Sequence, residues 1–390
     1  MPPNRTLALL CLACGSWAFS FGLECPLASR WLESAGRSEG FIGLNTGTHF
    51  LGVILAGLAA PTLMQRRGRG CIALGLVLSG AAVAAFPWAG TRAGSFALRF
   101  LAGAGGALAM VPLESLVNFN APPERRARAF GCYAAAVGSG FALGSGLGLA
   151  AFDAAAHLSF LLASLTLLGA FVVPFLPPVP DEPPAGKAPR PLRPPFLCGA
   201  SSWTQGFLEA GLLALLPLYL VSLEMSDAES GLLIGVILAG VILFQLPIGW
   251  LADWAGRERV LIGCFTIVAV ALAIVPHCQK GFALSAWLFV MGVCSGAFYP
   301  LGLALLGERL RPADIPRANA WYLSVNCCGC LISPVIGGPV MNACGRDGMF
   351  YTGEFVVLAV LAMWLVAKAG KAMRNTKENR PRLDCVPETR

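Results

Sequence analysis

Charge is what this chain of 390 residues has least of: Asp, Glu, Lys and Arg make up 13% of it, while 56% of its residues are apolar. A soluble globular chain carries about 25% charged residues, so water is not the main solvent here. Histidine is scarcer still, with only His49, His157 and His277, on separate predicted helices or loops. No H-E-x-x-H segment and no G-x-x-x-x-G-K-[ST] segment occurs, so neither a metallopeptidase centre nor a phosphate-cradling ATP motor is visible. Cysteine is not scarce, at fourteen, but it falls inside apolar runs, as at Cys11, Cys14 and Cys327, Cys328, Cys330. A disulfide framework needs loop cysteines at matched spacings, so these read as small packing residues, and no metal site or cofactor is expected. The net charge of +7 is spread through short loops rather than gathered into a cluster, which argues against a nucleic-acid partner.

What the chain has in plenty is uncharged apolar sequence, with a mean hydropathy of +0.69. Runs such as Gly70 to Gly90, Leu232 to Ala252 and Phe282 to Gly307 each contain the roughly 20 residues that cross a 30 Å hydrocarbon layer. The first run lacks a small-residue cleavage site and holds Trp17 and Glu24, so it reads as a retained helix rather than a signal peptide. The expected fold is an all-α polytopic membrane protein with twelve transmembrane helices. Six lie at about 6–28, 40–64, 70–90, 94–118, 127–150 and 156–176, and six at about 196–222, 227–252, 259–277, 280–306, 316–341 and 348–369. Between the sets, residues 177–195 include nine prolines, a density that cannot continue a helix. The domains are then a six-helix bundle over 1–176, a cytoplasmic linker over 177–195, a second bundle over 196–369 and a basic tail over 370–390.

Orientation follows from the lysines and arginines. With a cytoplasmic N-terminus, 22 of the 28 basic residues fall on the cytoplasmic side, five outside and one, Arg99, within a helix. Both termini are expected inside, in the inner (plasma) membrane. The two sets also resemble each other at a fixed offset. Gly68 and Gly256 are 188 residues apart, as are Pro112 and Pro300, while Arg128-Ala129 with Tyr133 matches Arg317-Ala318 with Tyr322 at 189. Duplicated six-helix halves joined by a linker form the parallel-repeat architecture of a secondary transporter.

At the end of the eighth predicted helix stands Gly249-Trp250-Leu251-Ala252-Asp253-Trp254-Ala255-Gly256-Arg257-Glu258-Arg259. This segment resembles the loop motif of the major facilitator superfamily, G-x-L-a-D-x-x-G-R/K-x-R/K, and the resemblance extends over essentially the whole chain. It implies a conformational loop built on Gly249, Asp253, Gly256, Arg257 and Arg259, with Asp253 accepting from a neighbouring helix N-terminus. The first-half equivalent keeps Gly68 and the cations but has Gln65 where the family prefers aspartate. In the fourth helix, Arg99 through Ala107 resembles a second family motif, R-x-x-q-G-x-g-a-a, which implies participation of Arg99 in proton coupling; an interfacial, snorkelling arginine is the alternative. A glycine-proline segment, Gly329 to Gly338, resembles a motif of the family's antiporters but sits in the eleventh helix instead of the fifth.

Glu24, Glu114 and Glu209 lie within apolar runs. An ionised carboxylate facing lipid is costly, so each must face the bundle, pair or hold a proton. They join Arg99 as proton or substrate candidates. Neutral polar and aromatic residues at helical spacing are candidate pocket linings: Trp17; Asn45 and His49; Trp203 and Gln205; Asn319, Tyr322 and Asn326. Helix-to-helix hydrogen bonding is the plainer account of each. The expected activity is secondary transport of a small solute by alternating access with proton coupling, by a monomer in the lipid bilayer and without enzymatic chemistry. The rival is a non-transporting receptor or scaffold of the same fold.

Overall fold

In the computed structural model, residues 3–120, 126–178, 194–308 and 315–378 are described. Residues 179–193 of the expected linker, Arg125, Arg309 and Arg311, and the end of the tail lie outside them. Among the described residues thirteen α-helices follow one another: α1 (Pro3–Ser34), α2 (Glu39–Arg67), α3 (Gly70–Ala84), α4 (Arg92–Asn120), α5 (Arg126–Leu161), α6 (Thr166–Val172), α7 (Phe196–Ser222), α8 (Asp227–Ala255), α9 (Arg257–Ile274), α10 (Phe282–Ser295), α11 (Phe298–Gly307), α12 (Ile315–Cys344) and α13 (Gly348–Glu378). Only helices occur among the described residues, as the membrane demands of a chain that must satisfy its backbone internally.

Among the described residues ten stretches are long and apolar enough to cross a bilayer, with Gly70–Ala84 as a shorter apolar helix beside them. One of the ten, Ala135–Phe175, has 41 residues, enough for two passages at 1.5 Å per residue. The sequence reading breaks this stretch after residue 150. The helical stretch continues a turn past residue 150 and breaks where Ala155 leaves helical geometry at φ −161°, ψ 83°, just before the expected start of the sixth helix at about 156. The tenth predicted helix, expected to be continuous, is interrupted at Gly296 and Ala297 between α10 and α11.

Local chemistry sets several boundaries. Ser38 caps α2 by accepting from the Phe41 amide, and Ser226 forms a reciprocal capping box with Glu229 at the start of α8. Gly68 and Gly256, at φ 52° and 95°, end α2 and α8 in conformations that a side chain would strain. Large apolar side chains face outward all around: Leu58, Phe171, Leu246, Phe355 and Phe282 are between 74% and 88% exposed. Such a surface is at home in lipid and would aggregate in water.

Because lipid tails are as apolar as leucine, the helices need close backbone approach to associate. Gly140 and Gly144 of α5 lie against the Gly15 and Phe19 carbonyls of α1, so a Cβ at either would overlap backbone. Ser145 donates to the Gly22 carbonyl at 2.9 Å in the same crossing. Gly52 and Gly103 join α2 to α4 in this way, and Gly206 and Gly329 join α7 to α12. Residues 3–178 meet residues 194–378 chiefly where α2 packs on α12 and α5 packs on α8.

Candidate functional site

The contacts between the two parts gather at one end of the molecule, where α1, α5, α7 and α12 finish and α2, α8 and α13 begin. Arg30 of α1 ion-pairs with Asp227 of α8 and with Glu33. Arg346, in the turn before α13, pairs with Glu33, with Glu39 at 3.5 Å, and donates to the Leu218 carbonyl. Asp153 of α5 accepts from the Ala228 amide at 3.0 Å. Gly338 of α12 lies on the Glu39 backbone beneath this clasp. Among the described residues every ion pair bridging the two parts is at this end. At the opposite end the pairs are local: Arg257 reaches Asp253 at 3.1 Å and Glu308 at 2.8 Å, all within the second part. Asp253 therefore engages the Arg257 side chain, not a helix N-terminus as the motif implied. Gly249, Gly256 and Arg259 flank this pair, Arg259 in solvent. The first-part counterpart uses Arg69, which donates to the Pro174 carbonyl at 2.9 Å and to that of Leu176.

Away from the clasp, a cavity of about 370 Å³ opens between the parts, walled by α1, α4, α5, α7, α8 and α10. Trp17 and Phe21 stack at 5.3 Å on its α1 wall, and Phe141 of α5 meets Phe21 at 5.5 Å. Gln205 and Glu209 project into it from one face of α7, four residues apart. Glu209 is accessible to this space and is hydrogen-bonded by Gln205, whose carbonyl oxygen is buried without a hydrogen-bond partner. The remaining wall is almost wholly apolar, including Met110, Leu212, Leu213 and Ile237.

Behind Phe21 lies a buried polar cluster. Arg99 is fully enclosed, its guanidinium donating to Glu24 Oε1 at 2.5 Å and to Thr46 Oγ1 at 3.3 Å. His49 Nδ1 is 3.1 Å from the same Glu24 oxygen, and its ring stacks on Phe21 at 5.4 Å. Arg99 is thus an internal ion-pair partner, and the snorkelling alternative is overturned. Gly103 makes the cluster possible by seating α4 on the His49 backbone. Glu114, four turns further along α4, is hydrogen-bonded by the Tyr133 hydroxyl at 3.4 Å, with no cation beside it among the described residues.

The other candidates are placed differently. Asn45 is buried and donates to Ser95 at 3.4 Å. Tyr322 is walled in between α7 and α11, with Ser201 at 3.1 Å and the Tyr299 carbonyl at 2.9 Å, so it ties helices together and does not line the cavity. Asn326 likewise donates to the Ser202 carbonyl at 3.0 Å. Trp203 lines a separate outer groove with Trp321 and Phe355. The Asn319 side chain lies outside the described residues. Sequence reasoning missed Phe21, Phe141 and the aliphatic wall, because an apolar residue facing a cavity has the same sequence signature as one facing lipid. It also missed the clasp, whose signal was acidic Glu33, Glu39 and Asp227 close to outward Arg30 and Arg346.

A family profile described as Major Facilitator Superfamily matches residues 6–226 and 196–388. The chain belongs to the major facilitator superfamily. As a member it is a multi-pass membrane transporter. It is 24% identical over 364 residues to an uncharacterized transporter of this type, YfkF of Bacillus subtilis, covering 90% of this chain and 92% of that one. Similarity to the uncharacterized transporter YcaD of Salmonella typhimurium is also 24%, over 387 residues, with 94% and 97% covered. Among solved structures, a mutant of the nucleoside transporter NupG superposes with a TM-score of 0.75 at 12% identity, covering 93% of this chain and 99% of that one. A bacterial homologue of the human lysosomal transporter Spinster, in an inward-facing and unoccupied conformation, gives 0.71 at 14% identity, with 94% and 95% covered. These likenesses extend the superfamily fold over nearly the whole chain.

Proposed function

We propose that this transporter is a proton-linked secondary carrier of a small solute, working by alternating access as a monomer in the plasma membrane. Its twelve passages are two six-helix bundles, 1–176 and 196–369, joined by a cytoplasmic linker, with both termini cytoplasmic. In that orientation the ion-pair clasp closes the outer face and the cavity is reached from within, a reading supported by the likeness to an inward-facing neighbour. The observation that carries proton linkage is the pair of carboxylates, Glu114 and Glu209, that face the interior and whose hydrogen-bond partners among the described residues are the neutral Tyr133 and Gln205. A carboxylate set among apolar side chains without a cation favours uptake of a proton or a cationic ligand, and alternating access would carry that occupant across. Glu24 has the opposite surroundings, because Arg99 neutralises it, and it serves as an anchor.

Growth of a deletion strain on panels of solutes and toxins would select a solute, and proteoliposomes with an imposed pH gradient would then test the coupling. The gradient should drive solute flux in the native protein, and replacing both Glu114 and Glu209 by Gln should abolish that dependence. Native flux indifferent to the gradient, or gradient-driven flux unchanged in the double variant, overturns the proton assignment. Absence of protein-dependent flux for every solute, with cysteine labelling showing no alternation at the two ends, would favour the non-transporting receptor.

A further inference from the structure

Four features of the cavity bear on the chemistry of its occupant. The single ionisable group on its wall is Glu209, and no lysine, arginine or histidine lines it among the described residues. Arg99 stands behind Phe21 and is already engaged by Glu24. The Gln205 carbonyl oxygen is a buried acceptor without a donor, one helical turn from the carboxylate. The rest of the wall is aliphatic or aromatic, with Trp17, Phe21 and Phe141 offering ring faces.

An anionic solute would meet Glu209 with no compensating cation. A sugar-like solute would have its hydroxyls stripped of water against hydrocarbon, with too few partners to replace it. A largely apolar molecule with one positive charge meets neither penalty. Its charge neutralises the carboxylate in a region of low dielectric, its hydrocarbon fills the aliphatic wall, and the ring faces attract it further. Where the positive centre bears an N–H, that proton meets the empty Gln205 acceptor.

We infer that the central cavity binds an apolar monocation, a protonated amine or related lipophilic cation, with Glu209 as its counter-ion and Gln205 as acceptor, and that this is the solute class. The inference deepens the transport reading and rests on it for the claim that the bound species is carried. Binding itself is testable without flux. The probes are tetraphenylphosphonium and tetraphenylborate, which share one shape and differ in the sign of charge. Equilibrium dialysis of the purified full chain in detergent, at fixed pH and without a gradient, should show the phosphonium binding at least tenfold tighter than the borate. Glu209→Gln should weaken phosphonium binding by tenfold or more, while Glu258→Gln, which removes a carboxylate remote from the cavity, should leave it within twofold.

Equal or tighter borate binding, no binding of either probe, or a Glu209→Gln affinity within twofold of the native value would overturn the cation class. None of these would touch pH-driven flux of some other solute, so the two readings fail separately. The sign comparison in the native protein needs no substitution and decides the matter even where a variant does not fold.

Discussion

The two halves of this transporter are packed alike and charged differently. Helices α2 and α8 each have 29 residues, begin after a serine cap and end at a positive-φ glycine; Ser38 and Ser226 are 188 residues apart, as are Gly68 and Gly256. The crossings agree in detail. Gly52 sits on the Phe100 carbonyl and Gly103 on that of His49; Gly240 sits on the Phe289 carbonyl and Gly292 on that of Ile237. Carrying the buried cluster across by this packing takes Glu24 to Leu212, His49 to Ile237 and Arg99 to Leu288. All three counterparts are buried hydrophobic residues. The same helix geometry therefore tolerates either a polar or an apolar interior at these points. The first half's cluster is not a requirement of the fold, and its charges persist because each has a partner.

The largest effect should come from removing one of those partners. Glu24→Leu installs the second-half residue but strands a fully buried guanidinium, which should cost about 3–5 kcal/mol. Unfolding in detergent would register the loss. Adding Arg99→Met, which converts the pair to hydrocarbon, should recover most of it, since replacing a whole buried pair is often nearly neutral. A double variant as unstable as the single one would mean that the halves are not interchangeable here and that the cluster holds its helices in a way leucines cannot.

How much of this was legible in the sequence depended on range. Arg99 stood out as a cation in an apolar run, and Glu24 shared a stripe with Trp17, but the link between them spans 75 positions and joins α1 to α4. One-dimensional periodicity gives a residue's face and not its partner, so His49 could be read as bonded between helices or as a pocket lining, and its partner Glu24 could not be named. Glu209 and Gln205 were found because four-residue spacing is local. For Tyr322 and Asn326 the plainer account, helix-to-helix hydrogen bonding, is the one the structure shows: their spacing is equally regular, and the faces they occupy turn toward α7 and α11. The helices themselves were visible because their apolar runs are long; the separation expected between 150 and 156 falls at Ala155, beside Asp153, whereas the break at Gly296 was not read because no charge marks it.

A smaller effect tests the shared packing. Gly52→Val and Gly240→Val each place side-chain atoms against a facing backbone carbonyl, and overpacking of this kind costs about 1–3 kcal/mol. If the two crossings are equivalent, the two variants should lose stability by amounts that agree within about 1 kcal/mol, the lower end of that range. A large loss in one and none in the other would show that one crossing relaxes where its counterpart cannot.

Smaller again are the helix starts. Ser38→Ala removes one hydrogen bond, from the Phe41 amide, whereas Ser226→Ala breaks one arm of a reciprocal pair with Glu229 that Lys280 also holds at 2.7 Å. A cap is worth about 1 kcal/mol, so both losses should be near that value, with Ser226 the larger.

The least change in stability is expected where the halves differ most in motif. Asp253 is 65% exposed and Arg257 32% exposed, and ion pairs in such settings contribute about 0–1 kcal/mol because solvent and salt screen them. Asp253→Asn should therefore leave detergent unfolding almost unmoved. Its consequence should lie in conformation, because Arg257 also holds Glu308 at the end of α11, beside the face left open in this structure. Cysteine accessibility on the two faces should shift in Asp253→Asn while the unfolding midpoint stays in place. In the first half, Arg69 binds backbone carbonyls instead of a carboxylate, so its contact to Pro174 has no acidic partner to lose. Arg69→Gln should alter accessibility less than Asp253→Asn does. An equal or larger shift from Arg69→Gln would locate the conformational loop in the half whose motif is incomplete.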